Sequence, residues 1–391
     1  MDENKTRVFL TGATGVMGMA GLKELVKHPE NYSVTVLARK SERNRKKLKP
    51  YEALGVNVVW GDLLEEAAIR EGIENSDIVL HVGGMVSPLA DHYPEKTMRV
   101  NVGSMTLISR IVKEIEQQDS KRCIKVVYIG SVAQYGSKMP PNHWGNVSDS
   151  QTPSQFDTYG ESKVKAEEAL KESGVKKWVS IRQTAILHAG LLKKAGDPVV
   201  FQTPINGVLE WITTEDSGRL LERICRTDVP DNFWNNCYNA GGGEAFRLTN
   251  LEFERGLLKA IGCPPPEKIF EPNWFASDNF HGMWFEDSDD LDSILHFREK
   301  DTFEATLERM KQTLPKYFGL ARIVPPFLIK AYMKRVAAKP VLGPLWWIKQ
   351  RDEKRINAAW GGMEKYKAIP GWNEFKEIKL AKATPIKTKN D

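Results

Sequence analysis

In TYGESK (158–163), Tyr159 and Lys163 are four residues apart, a spacing that puts both side chains on one face of a helix. An ammonium beside a phenol lowers its pKa, which would let the tyrosine exchange a proton with a substrate oxygen near neutral pH. The pair alone recurs by chance on surface helices, so it needs company. The apolar run CIKVVYIGS (123–131) supplies Ser131, whose hydroxyl could hold the same oxygen against Tyr159 in the transition state. Near the start, VFLTGATGVMG (8–18) sets Gly12, Gly15 and Gly18 three residues apart, directly behind another apolar run.

The elements that must position these residues alternate. Strands are predicted over 7–12, 32–39, 56–63, 77–84 and 123–131, with helical spacing between them, as in Val16, Met19, Leu22, Leu25 and Val26. Such alternation predicts a parallel sheet with right-handed crossovers, the doubly wound dinucleotide-binding (Rossmann) architecture. In that setting Gly12 permits the tight turn, Gly15 lets the backbone approach a pyrophosphate, and Gly18 lets helix and strand pack closely. Free N–H groups at the helix start, with Thr14 and Val16 in the same turn, would then hold the phosphates. NAD-binding folds usually end the second strand in an acid for the ribose 2′-hydroxyl. Here that end reads LARKSERNRKK, with Arg39 at that place and Lys40 and Arg43 beside it, a pattern that favours the 2′-phosphate of NADP(H) over NAD. Arg45, Lys46 and Lys47 are expected to form part of a solvated surface.

Together these motifs resemble the extended short-chain dehydrogenase/reductase family over roughly residues 5 to 315. TGATGVMG is similar to its TGxxGxxG signature and YGESK to its YxxxK. The resemblance implies a catalytic Ser131, Tyr159 and Lys163. It also implies cofactor contacts from Asp62 and Leu63 in GDL, Gly83 in HVGG, Asn101 in VNVGS, and the Tyr159–Lys163 pair. SIRQTAIL (180–187) resembles the family's sixth strand, with Gln183, a further expected cofactor contact, where a proline is usual. Dehydratases of the family carry an Asp–Glu pair after the serine, and Val132 and Ala133 stand there instead. Arg39 argues against the tightly held NAD of the epimerases. The resemblance therefore implies an NADP(H)-dependent oxidoreductase interconverting a ketone and a secondary alcohol on an apolar, steroid-like substrate. A sugar-nucleotide epimerase with tightly bound NAD is the alternative.

The rest of the chain bounds this reading. The 391 residues are 41% hydrophobic and 27% charged, an ordinary globular composition with no apolar run long enough to span a membrane. The polar start MDENKTRVFLTG lacks an apolar signal segment, and four scattered cysteines suggest neither a zinc site nor a disulfide framework, so a cytoplasmic setting is expected. The expected organisation is a Rossmann domain over 1–180, to which strand six and part of 215–240 return. A smaller α/β substrate lobe over 181–320 and a basic extension over 321–391 follow.

Specificity should come from Met85, Val86 and Ser87, from 188–205 and from 270–290. NWFASDNFHGMWF (273–285) could line an apolar pocket or equally form the lobe's core. His188 and His281 are expected to be structural more often than substrate-binding. The extension holds 16 basic and 6 acidic residues, a local charge of +10, so the preceding 320 residues carry −5. A helix from Phe327 would put Ile329, Tyr332, Met333 and Val336 on one face. The paired Trp346 and Trp347 beside Lys349 and Arg351 resemble a membrane-surface anchor. Packing on the protein itself or on a sister subunit is the favoured expectation, with no binding to anionic vesicles at physiological salt. No nucleic-acid module is visible. A small-molecule substrate is the expected partner, and a homodimer is compatible with the sequence.

Overall fold

Seven short runs of apolar and β-branched residues pair side by side, all parallel, in a computed structural model that describes residues 5–192, 196–315 and 321–385. They are β1 (Thr6–Thr11), β2 (Tyr32–Ala38), β3 (Asn57–Trp60), β4 (Ile78–His81), β5 (Lys125–Ser131), β6 (Lys177–Gln183) and β7 (Asn236–Ala240). Their order is β7-β6-β5-β4-β1-β2-β3. Both faces are covered, so the strands are apolar on both sides. Val8, Leu10, Val36, Leu80 and Ile129 pack towards the helices Val16–Leu25 and Thr214–Ile224. Phe9, Leu37, Val79, Val126 and Tyr128 face Pro94–Gln118 and Thr158–Lys171. The alternation follows from the two-residue period of a strand.

The chain order reverses between β1 and β4, which opens a crevice at their carboxyl ends. Two strands end three residues sooner than the sequence suggests. β3 stops at Trp60, because Gly61 N–H bonds the Ala38 carbonyl and the chain turns at Asp62. β4 stops at His81, where Thr11 Oγ1 holds both the His81 ring (2.9 Å) and Gly83 N–H (3.1 Å). The other ring nitrogen of His81 meets Ser104 Oγ at 3.0 Å, and burial drives its pKa down to about 3, so the imidazole is neutral.

After β6 the chain builds a second lobe around an aromatic core of Phe201, Trp211, Phe246, Phe270, Trp274 and Phe275, with Trp211 stacked on Phe253 at 4.1 Å. The 273–285 stretch is thus mostly core: Trp274, Phe275, Met283, Trp284 and Phe285 are buried, while Phe280 and His281 reach a cleft.

The basic extension packs on this lobe through one side of the helix Pro326–Ala337 and again from residue 343 onward. Trp347 and Trp360 are buried and Trp346 is half-buried. Trp360 Nε1 donates to the Phe275 carbonyl (2.9 Å) and Trp372 Nε1 to that of Phe270 (2.8 Å). The fully buried Arg247 guanidinium donates to Glu210 (2.9 Å), to the Lys382 carbonyl (2.7 Å) and to Thr384 Oγ1 (2.9 Å). The earlier helix, Pro326–Ala337, differs from its pattern. Met333, Val336 and Ala337 point inward, but Tyr332 lies outside with Phe327 and Leu328, one position round the 3.6-residue turn. Each large side chain the extension buries contributes roughly 1.5–3 kcal/mol. A chain ending at residue 320 should therefore melt at least about 5 °C lower, by scanning calorimetry.

Candidate active site

The glycine turn follows β1. Gly12 has φ +74°, and a Cβ there would lie 2.7 Å from the Gly83 nitrogen; a Cβ at Gly18 would lie 2.2 Å from the Gly12 carbonyl oxygen. Both glycines are demanded by the protein's own packing. Gly15 is different: its only close neighbour is the Gly12 carbonyl, at 3.3 Å, and it faces outward with Val16. It caps the helix Val16–Leu25 with no side-chain cap and no acid in the first turn. The first N–H groups of that helix have no intrahelical acceptor, and nothing negative competes for them. This turn can hold a phosphate.

At the end of β2, Arg39, Lys40 and Arg43 are exposed. Their neighbours are less idle than expected of a solvated surface: Lys47 Nζ reaches back to the Thr14 carbonyl (2.9 Å), and Arg45 lies over the Trp60 ring (5.7 Å). Asp62 Oδ1 accepts from Leu64 N–H (3.2 Å), and Leu63 packs against Gly83. Asn101 is buried and its amide is engaged. Oδ1 accepts from Met85 N–H (2.7 Å), while Nδ2 donates to the Met85 carbonyl (3.0 Å) and to Ser162 Oγ (2.8 Å). It ties the loop after β4 to the helix that carries Tyr159.

Ser131 ends β5 and caps a single turn, Val132–Tyr135; its Oγ accepts from Ala133 N–H at 3.2 Å. Val132 and Ala133 are buried. Tyr159 lies in the first turn of its helix, near enough to Ser131 for the hydroxyl to favour the ionised phenol. Lys163 follows one turn on, buried, with Nζ 2.7 Å from the Ile129 carbonyl, 4.9 Å from the Tyr128 ring centre and 5.8 Å from that of Tyr159. The three sequence-predicted residues converge.

Their electrostatics differ from expectation. Burial pushes the Tyr159 phenol up to about 12; Ser131 opposes this, while Asp157 and Asp91 add to it. Lys163, expected to lower the phenol, points at a carbonyl, and its own pKa falls to about 8 because it is desolvated. Tyr159 is therefore a protonated donor at neutral pH.

Two carboxylates here were missed by sequence reasoning. Asp157 Oδ1 caps the helix at Gly160 N–H (2.7 Å), and Oδ2 meets His281 Nδ1 at 2.9 Å. Asp91 accepts from Ser87 Oγ (2.6 Å) and from Tyr159 N–H (3.2 Å). Asp157 carried a signal, an aspartate just ahead of a helical run, but its partner lies 124 residues away. His281 also lines a cleft with Lys138, Asn250, Phe253 and Phe280. His188 instead bonds the Gly190 N–H at 3.1 Å.

Gln183 ends β6 in register with Ser131. It is 5% exposed, and its Oε1 is buried without a hydrogen-bond partner. Such an oxygen, in register with Ser131, suits an amide donor from a bound molecule. Among the described residues, no group of His, Cys, Asp and Glu is arranged to hold a metal ion.

Residues 8–183 match the model of the NAD dependent epimerase/dehydratase family. No curated protein matches the chain. Among solved structures it is similar to the UDP-glucuronic acid 4-epimerase of Bacillus cereus in complex with NAD, at 17% identity and a TM-score of 0.61, over 81% of this chain and 100% of that one. It is also similar to a short-chain dehydrogenase/reductase superfamily protein of Agrobacterium tumefaciens with bound NAD (16%, TM-score 0.58, 78% and 96%). A third is the dTDP-glucose 4,6-dehydratase of Bacillus anthracis in complex with NAD (15%, TM-score 0.61, 78% and 96%). At these identities the likeness concerns the fold. The match over residues 8–183 indicates an NAD(P)-dependent enzyme, and the solved structures share the fold of this chain.

Proposed function

We propose that this protein is an NADP(H)-dependent oxidoreductase that interconverts a ketone and a secondary alcohol on a largely apolar substrate. The observation that carries the reading is a phenol held protonated near Ser131, with apolar Val132 and Ala133 directly after that serine in place of an acid pair. A bound dinucleotide would supply the hydride to the carbonyl carbon. Tyr159 donates its proton to the carbonyl oxygen, and Ser131 orients that oxygen against it. Lys163, charged below about pH 8, is placed to meet the dinucleotide's ribose and to stabilise the phenolate left behind. Gly12, Gly15 and Gly18, with Thr14 and Val16, receive the pyrophosphate. Arg39 and Lys40 receive the 2′-phosphate, and Asp62 and Leu63 border the adenine. Gly83 keeps the crevice floor flat, and Asn101 holds the loop above it. Gln183 Oε1 accepts from the nicotinamide carboxamide.

A sugar-nucleotide epimerase is the second reading. It is favoured by the polar Lys138, Asn250 and His281 in the cleft and by the NAD in the similar structures. The purified protein separates the two: released extract containing stoichiometric NAD supports the epimerase, and an empty site that turns over NADPH with ketones supports the oxidoreductase.

Four outcomes are expected. NADPH should bind more tightly than NADH by calorimetry, and Arg39→Asp should reverse the order. Loss of a charge-assisted phosphate contact costs about 1.5–3 kcal/mol, roughly ten- to a hundredfold in affinity. On a ketone found by following NADPH absorbance, Tyr159→Phe should lose nearly all turnover yet keep NADPH affinity. Wild-type reduction should hold steady from about pH 6 to 7.5 and decline above about 8, as the Lys163 ammonium loses its proton. Finally, Gln183→Met removes an unpaired buried oxygen whose burial costs about 1–3 kcal/mol. The free protein should melt higher while its NADPH affinity drops, opposite signs that a purely structural role for Gln183 would not give.

A further inference from the structure

The stretch from residue 321 to 351 contains seven basic residues and no acidic one. Among the described residues only Lys330 of these seven has a carboxylate partner, Glu271. Within the stretch, the helix Pro326–Ala337 is fixed to the body by Met333, Val336 and Ala337, which join the second lobe's core, and by the Gln202 amide bonding the Leu342 carbonyl (2.8 Å). Its other side is apolar and largely exposed: Phe327 is 68% exposed, Leu328 50% and Tyr332 56%, with the Tyr332 hydroxyl against Gly196, and Ile323 in the turn before the helix is 77% exposed. Arg322 precedes this face, and Lys334, Arg335 and Lys339 follow it, all exposed. Scattered exposed apolar residues need no explanation, but four large ones within ten residues, flanked by one sign of charge, mark a contact surface.

We propose that this face is a docking surface for an anionic lipid bilayer, with Ile323, Phe327, Leu328 and Tyr332 entering the interface and the basic rim meeting the headgroups. A rigid amphipathic helix with aromatic and aliphatic residues outward and lysine and arginine at its margins has the composition of an interfacial helix. No helix among the described residues is long and apolar enough to cross a membrane, so the contact is peripheral. A second copy of the chain is a poorer occupant. A two-fold interface sets the same patch against itself, opposing Arg322, Lys334, Arg335 and Lys339 with their own counterparts. The proposal qualifies the expectation that the whole extension packs inward: the tryptophan-bearing segment does, and this helix does so on one side only. It stands independently of the reaction assigned above.

The test is flotation of the full chain with vesicles of phosphatidylcholine alone or with about 30% phosphatidylserine. Partitioning should be at least about tenfold stronger on the anionic vesicles and should weaken as salt is raised to about 0.5 M, where charges are screened within a few ångströms. Phe327→Ser with Leu328→Ser should abolish binding with unchanged melting and unchanged NADPH affinity. Lys334→Glu with Arg335→Glu should remove the preference for anionic lipid. Failure of the full chain to float with anionic vesicles would overturn the proposal, as would serine variants that float as well as the parent. A dimer in sedimentation analysis that the serine pair converts to monomer would assign the face to a second copy instead.

Discussion

Everything in the site hangs from one buried carboxylate. Glu167 lies eight residues beyond Tyr159 and four beyond Lys163, so the three share a face of one helix. Its oxygens accept from Arg182 Nε (3.0 Å) and Nη2 (2.7 Å), Gln134 Nε2 (3.0 Å), Gln151 Nε2 (2.8 Å), Ser180 Oγ (2.7 Å) and Lys171 Nζ (2.6 Å). Gln134 in turn accepts from Ser131 N–H at 2.7 Å, and Arg182 immediately precedes Gln183. A buried ion pair gains little when its desolvation is counted, but this one has every lone pair occupied, and the Arg182 guanidinium holds the carboxyl well below the usual range. The network fixes the helix, the turn after β5 and the end of β6 in one register. Removing one partner would leave an unpaired buried charge, a loss of about 3–5 kcal/mol at the point where three site elements meet.

That rigidity explains how a phenol can be kept protonated without being displaced. Tyr159 is surrounded by a desolvating wall, two carboxylates and a serine, and its nearest ammonium is pulled aside by the Ile129 carbonyl. The charges that decide its ionisation are therefore placed by backbone and caps, not by the tyrosine–lysine spacing alone. Asp157 serves two needs at once, capping the helix and meeting His281 from the other lobe. The acid of the Rossmann half thereby touches the wall of the cleft.

Much of this was legible. The glycine turn, Ser131 and the Tyr159–Lys163 spacing are local patterns, and local patterns survive in a sequence. The strands were legible because apolar β-branched runs between helical segments have few other uses. Strand ends were less so: β4 stops at His81 because Thr11 and Ser104, distant in sequence, bind its ring. The Asp157–His281 contact was hidden for the same reason. Composition could not say whether the aromatic residues of 273–285 are core or pocket wall, since both want flat apolar rings. Tyr332 misled, because one residue's shift round a helix exchanges inside for outside.

Arg247 carries a consequence for how the chain is made. Its guanidinium is fully enclosed, yet two of its acceptors, the Lys382 carbonyl and Thr384, lie 135 and 137 residues further along. A nascent chain that has only reached the second lobe holds a charge with nowhere to place two of its donors. The parallel sheet, complete once β7 has emerged, can close early, whereas the lobe beside it must stay ajar until the ribosome has delivered the stretch around residue 384. Vectorial synthesis thus imposes an order on the two halves, and the late strap becomes the step at which a protease or chaperone competes with folding.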